Sequence, residues 1–261
     1  MKIMNQNRIE KLFNGKNERV LSVYCTAGYP RLDSTLAVMK ALQFNGADII
    51  ELGMPYSDPL ADGPVIQSSG MQALRNGMTI QKLFDQLRDF RKTIEIPVLL
   101  MGYMNPVLQY GFEKFCKTAA GLGIDGLTLP DLPIYEYEME YGAIIRKYGL
   151  DFIFLVTPET SEKRIRKLDE LSTGFIYAVS SSSTTGKDKD FASVKKYLQR
   201  LKSLHLRNPV LVGFGIKDKE SFMDACAFAN GAIIGTAFIQ ALDGSGDIEE
   251  NTRKFLSKIL N

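Results

Sequence analysis

The sequence predicts an α/β fold, a single (β/α)8 barrel with a short extra helix at its N-terminus. Three observations predict it. Short β-branched and aliphatic runs recur eight times, each followed by a longer amphipathic stretch. Strand and helix alternate throughout, which requires a parallel sheet because parallel neighbours need a crossover connection. The 261 residues suit one barrel, a unit of roughly 250 residues, so one domain over residues 1–261 is expected.

The extra helix is expected around Arg8 to Asn14, where it could plug the barrel floor. The first strand, Val20 to Thr26, precedes a helical pattern over Leu32 to Phe44, and the second, Asp48 to Met54, one over Ile80 to Lys92. The third, Pro97 to Tyr103, leads to Glu113 to Ala120, and the fourth is Gly126 to Asp131. The fifth, Asp151 to Thr157, precedes Ser161 to Leu171, and the sixth, Gly174 to Ser180, precedes Ala192 to Leu204. The seventh, Pro209 to Gly215, leads to Lys219 to Ala227, and the eighth, Ala232 to Phe238, to a last helix over Ile248 to Leu260. An open doubly wound sheet is the rival. The barrel is favoured because the units number eight and the first strand runs into CTAGYP, not into a glycine fingerprint for a dinucleotide. No low-complexity linker or composition break divides the chain.

Composition excludes several classes of function. Lys and Arg total 32 against 30 for Asp and Glu, interspersed along the chain, so no basic face for a nucleic acid is expected. Cys25, Cys116 and Cys226 are odd in number, widely spaced and set in apolar runs, which reads as core thiols and not as a disulfide frame or zinc site. Met1 to Arg19 lacks the apolar stretch of a secretory signal, and no segment approaches the roughly 20 apolar residues of a membrane span. A cytoplasmic location is expected.

The loop after the second strand carries the strongest chemical signal. It reads ELGMPYSDPLADGPVIQ from Glu51 to Gln67, and Glu51 follows Ile49 and Ile50 on a strand bound for the interior. A buried carboxyl must be satisfied, paired or protonated. Pairing with a buried base would make Glu51 a structural ion; an unpaired Glu51, its pKa raised toward neutrality, would suit acid–base work. Asp62 lies in the following loop, close enough to fold back over the mouth. Asp58 competes with it, although Asp-Pro is also a common turn initiator.

Glycine-bearing turns mark the carboxyl half: SSSSTTG over Ser180 to Gly186, GFGI over Gly213 to Ile216, and the pair Gly235 and Thr236. Barrel enzymes frequently hold phosphate with the loops after strands seven and eight, so together these turns suggest a phosphate cradle. Lys187 and Lys189 read as solvated. His205, the only histidine, falls at the barrel floor, away from the catalytic end, and leaves no serine triad or histidine-rich metal centre. No GxxxxGK[ST] segment is present.

The segment ELGMPYSDPLADGPVIQ resembles the signature of the tryptophan synthase α subunit family nearly position for position. The similarity continues through MGYMNPVLQYGFEKF, LPDLP, IFLVTP, GFIYAVS and VGFGI, covering the chain from about Val20 onward. The resemblance implies a TIM-barrel lyase that cleaves indole-3-glycerol phosphate to indole and glyceraldehyde 3-phosphate, a retro-aldol reaction with no metal or cofactor. It implies that Glu51 is the acid/base and that Asp62 accepts the indole N–H. Tyr177 matches a tyrosine near the catalytic Glu; Tyr24, Thr26 and Leu155 match positions around the indole pocket. Thr185, Gly186, Gly215, Gly235 and Thr236 match the phosphate site. The implied partner is a pyridoxal-phosphate β subunit in an α2β2 heterotetramer, contacted through Pro55 to Pro64 and Asn105.

The chain also departs from the family pattern. After the sixth strand, Ser181, Ser183 and Thr184 stand where arginine, glycine and valine are commonest, in a loop that acts as a lid in the family. Thr236 stands for the usual serine. A stand-alone indole-releasing lyase and a non-catalytic allosteric barrel are the alternatives; retention of both Glu51 and Asp62 speaks against the second.

Overall fold

In the computed structural model, which describes residues 7–179, 191–213, 215–243 and 247–261, nine parallel strands form one sheet in the order β5-β4-β3-β2-β1-β9-β8-β7-β6. They are β1 (Val20–Thr26), β2 (Ile49–Gly53), β3 (Val98–Met101), β4 (Gly126–Thr128), β5 (Asp151–Phe152), β6 (Phe154–Val156), β7 (Ile176–Val179), β8 (Val210–Gly213) and β9 (Gly231–Ile234). The two ends of that order, β5 and β6, flank the single residue Ile153. Together they form the fifth stave: Asp151 and Phe152 pair with β4, and Phe154 to Val156 pair with β7. The ring is therefore the expected α/β barrel, nearly closed.

Ile153 keeps the stave tied to β4, its N–H donating to the Leu127 carbonyl at 3.0 Å. Thr173 Oγ1 accepts the Phe152 N–H at 2.9 Å, and Ser172 Oγ lies 3.1 Å from the carbonyl oxygen of Phe152 and 2.8 Å from that of Phe175. These hydroxyls, with the Thr173 N–H donating to the Phe152 carbonyl at 3.0 Å, tie the stave to the segment before β7.

Alternation along each strand divides the core into two parts. Leu21, Val23 and Cys25 of β1, Ile50 and Leu52 of β2, and Val98 and Leu100 of β3 face outward and join the layer under the helices. The intervening residues face inward. Val20, Ile49, Leu99, Ile153, Phe175, Leu211 and Ile233 form an inner layer, completed by Ile9 and Phe13 from helix Arg8–Gly15. That helix plugs the floor as expected, and burying each of its two anchors contributes about 2 kcal/mol. Asn7 caps it by accepting from the N–H groups of Ile9 and Glu10. Arg8 and Arg91 converge on buried Asp125, which also accepts the Val98 N–H at 2.7 Å.

Most of the predicted helices form close to their expected bounds, and Ile248–Leu260 matches at both ends. One expectation needs correction. The eighth strand does not extend to Phe238: β9 ends at Ile234, and Thr236–Leu242 is a helix that buries Phe238, Ile239 and Leu242. Apolar residues on both sides of the Gly235-Thr236 pair masked the change of period there. Helices Pro64–Arg75, Met104–Tyr110 and Gly142–Lys147 add elements that periodicity did not single out. Among the described residues no helix is long and apolar enough to cross a membrane.

Candidate active site

Above the floor layer the inward positions turn polar. Register places Ser22 of β1 beside Ile49 and Tyr24 beside Glu51, so β1 and β2 bring a serine, a phenol and a carboxyl to the same wall. On the opposite wall Leu155 pairs with Tyr177. Two glycines make room for the tyrosines. A Cβ on Gly53 would sit 2.0 Å from the Tyr24 hydroxyl, and one on Gly213 would sit 2.4 Å from the Tyr177 ring. Neither strand could carry a larger residue there without displacing a phenol.

Glu51 is wholly buried. Its Oε1 accepts from the Ser22 hydroxyl at 2.9 Å, while its Oε2 has no hydrogen-bond partner among the described residues. Among those residues no ion pair reaches it. Burial pushes the carboxyl up to about 7, and the Ser22 hydrogen bond opposes that rise. Glu51 can therefore both hold and release a proton near neutrality.

Asp62 sits above, in the loop between β2 and helix Pro64–Arg75, partly buried. Burial raises it to about 6, against a hydrogen bond from the Tyr103 phenol. Tyr103 Oη also accepts the Ala61 N–H at 3.0 Å, so one phenol anchors the loop and its carboxylate. The Tyr103 ring packs on Tyr56 with centroids 5.6 Å apart, and Asn105 Nδ2 donates to Tyr56 Oη at 2.9 Å. Asp58, the competitor, is exposed and bonded to its neighbour Ser57.

Burial, and after it the negative charge of Asp62, raises the pKa of Tyr24 and Tyr103; for Tyr177 burial comes first, then Glu51, then Asp62. Both carboxyls and these three phenols thus share one electrostatic neighbourhood. Thr26, at the carboxyl end of β1, bonds Ser69 Oγ at 2.7 Å and so ties the strand to the helix that follows Asp62.

A cavity of about 340 Å³ opens beside Tyr177, lined by Gly213, Gly215, Lys217, Gly235 and Thr236, with Ile66 over it. Gly235 lies against both Ile66 and Tyr24, so this cavity adjoins the carboxyl-bearing wall. Thr236 and Lys217 thus bring a hydroxyl-bearing and a cationic residue to a wall otherwise rich in glycine. Thr185 and Gly186, with Ser181, Ser183 and Thr184, lie outside the described residues.

Ser22, Tyr103 and Lys217 escaped the sequence reading. Ser22 had a usable signal, being a polar residue at an inward position of an apolar strand. Tyr103 had none, since its contact with Asp62 joins two separate loops. Lys217 follows a glycine turn, where a cation near an anion cradle could have been suspected.

A parallel barrel with two carboxyls of raised pKa near a glycine-lined cavity, towards the carboxyl ends of the strands, has the layout of a barrel enzyme's active site. The family model described as tryptophan synthase alpha chain matches residues 11–259. The α chain of Flavobacterium johnsoniae is 53% identical over 247 residues, spanning 94% of this chain and 97% of that one. That of Phocaeicola vulgatus is 50% identical, spanning 98% and 100%. Among solved structures, tryptophan synthase subunit alpha from Legionella pneumophila superposes with a TM-score of 0.88 at 35% identity, covering 97% of each chain. The tryptophan synthase complex from Pyrococcus furiosus gives 0.85 at 34%, covering 94% of this chain and 99% of that one. The chain belongs to the tryptophan synthase α chain family. It is a lyase of tryptophan biosynthesis.

Proposed function

We propose that Glu51 and Asp62 carry the cleavage of indole-3-glycerol phosphate, the reaction that membership of the family assigns to this chain. The observation that carries the assignment is the unsatisfied, buried Oε2 of Glu51 on a carboxyl that titrates near neutrality. Protonated Glu51 gives its proton to indole C3, and the ring takes up positive charge at its nitrogen. Asp62, the more acidic of the two, is ionised at neutral pH, accepts the indole N–H and stabilises that charge. Ionised Glu51 then removes the proton from the hydroxyl on the carbon joined to C3. The O–H electrons form the carbonyl of glyceraldehyde 3-phosphate, and the broken C–C pair returns to the ring, restoring indole. No electrons are gained or lost, and Glu51 ends protonated as it began.

Tyr24, Thr26, Leu155 and Tyr177 line the indole pocket in this reading. Gly215, Gly235 and Thr236 hold the phosphate in this reading, a role that the family resemblance extends to Thr185 and Gly186. The likeness to a solved tryptophan synthase complex supports a β-subunit partner in an α2β2 assembly. The contact runs through Pro55 to Pro64 and Asn105, where Leu60 is 85% exposed. The free thiols suit a reducing cytoplasm. An indole-release assay on indole-3-glycerol phosphate, with and without a β subunit, tests the whole. Release is expected in both, and faster with the partner; no release in either condition would sink the assignment.

A further inference from the structure

The inner face of β1 carries one buried polar group that the reaction as written does not use. Ser22 lies one inward position below Tyr24, is wholly buried, and donates its hydroxyl to Oε1 of Glu51 at 2.9 Å. Oε2 of the same carboxyl is buried and unpartnered among the described residues. The two oxygens are thus inequivalent before any substrate arrives.

We propose that Ser22 is a positioning residue for the lyase reaction, its hydroxyl holding Oε1 of Glu51 and so reserving Oε2 as the oxygen that trades a proton with substrate. The role rests on the reading of Glu51 as the acid–base group. A carboxyl on a flexible side chain would otherwise present either oxygen, in several rotamers, and proton transfer tolerates little misplacement.

The other titratable groups that Glu51 influences, outward-facing Cys25 among them, do not perform this task. Cys25 of β1 and Tyr177 of β7 lie within its electrostatic reach, but burial keeps both neutral, the thiol being pushed up to about 12 and the phenol well above its usual range. The charge of Asp62 acts on Tyr24, Tyr103 and Tyr177. The nearby residues of β3 are aliphatic, Leu99 among them. Ser22 therefore supplies, among the described residues, the one hydrogen bond that favours the ionised carboxylate over its buried acid form.

The test compares Ser22→Ala with Ser22→Thr, which keeps a hydroxyl. Glu51 is titrated directly by its carboxyl ¹³C resonance, identified by its loss in Glu51→Gln, and kcat and KM for indole release are followed against pH. In Ser22→Ala the Glu51 midpoint should rise by about one pH unit, the size of a lost hydrogen bond to a charged group. The kcat profile should move with it and kcat should change more than KM; Ser22→Thr should restore both. A lower melting temperature with an unmoved Glu51 midpoint would mark Ser22 as packing alone and overturn the proposal. An active Glu51→Gln would defeat the acid–base reading and this role together, whereas an inactive Glu51→Gln beside an unshifted Ser22→Ala would defeat only the role of Ser22.

Discussion

The floor and the mouth of this barrel each bury a carboxyl, and they treat it in opposite ways. At the floor, Asp125 receives Arg8, Arg91 and the Val98 N–H, so its charge is matched and fastens the plugging helix to the strands. At the mouth, Glu51 receives one serine hydroxyl and leaves an oxygen bare. Matching a buried charge secures structure, and leaving it short of partners raises its pKa. Asp151 at the floor is also buried, with an unpartnered Oδ2 among the described residues and a raised pKa, so what sets Glu51 apart is its place near Asp62 and the glycine-lined cavity.

The comparison can be broken at either end. The largest effect is expected at the mouth. Asp62→Asn keeps the loop geometry but removes the charge that meets the indole N–H, and should lower kcat about 10³-fold, equivalent to about 4 kcal/mol. A mild effect in steady-state kinetics would reduce Asp62 to a loop residue. At the floor, Asp125→Asn strands two arginines, and should destabilise the fold by about 3–4 kcal/mol in urea denaturation while kcat of the folded fraction is retained. Loss of turnover without loss of stability would contradict the division.

A smaller effect sharpens the contrast through pH. The pKa of Glu51 rises from 4.5 in the unfolded chain to about 7 in the folded one, so the folded state binds protons more tightly. Its contribution to stability is full below about pH 4.5 and is lost as pH rises through about 7, amounting to at most about 3 kcal/mol. Asp62, raised to about 6, acts in the same direction. Glu51→Gln should remove the Glu51 part of this slope and be the more stable protein at pH 8. Parallel stability–pH curves for the variant and the wild type would show that burial of Glu51 carries no such cost.

Much of this was legible in the sequence. Alternating aliphatic runs gave the staves, because outward and inward residues of a barrel strand both have to be buried, and the floor helix was expected where it lies. Less legible was anything set by two distant segments. The hydroxyls of Ser172 and Thr173 reach the fifth stave from some twenty residues on, and the helix after Gly235 opens at a Gly-Thr pair within a largely apolar stretch that also suits a strand. The same limit applied to the site. Glu51 stood out as a lone acid in an apolar strand, but Asp62 could be ranked only weakly above Asp58 from the residues, because Tyr103 distinguishes them and it arrives after β3. The family resemblance made that choice before geometry could.

Indole release by Glu51→Gln, measured beside glycerol phosphate binding to the same preparation, tests the central assignment most directly. The variant should show no turnover above background yet still be protected thermally by millimolar glycerol phosphate, since the cradle is untouched. Turnover near the wild-type rate with binding intact would show that Glu51 is not the acid–base group.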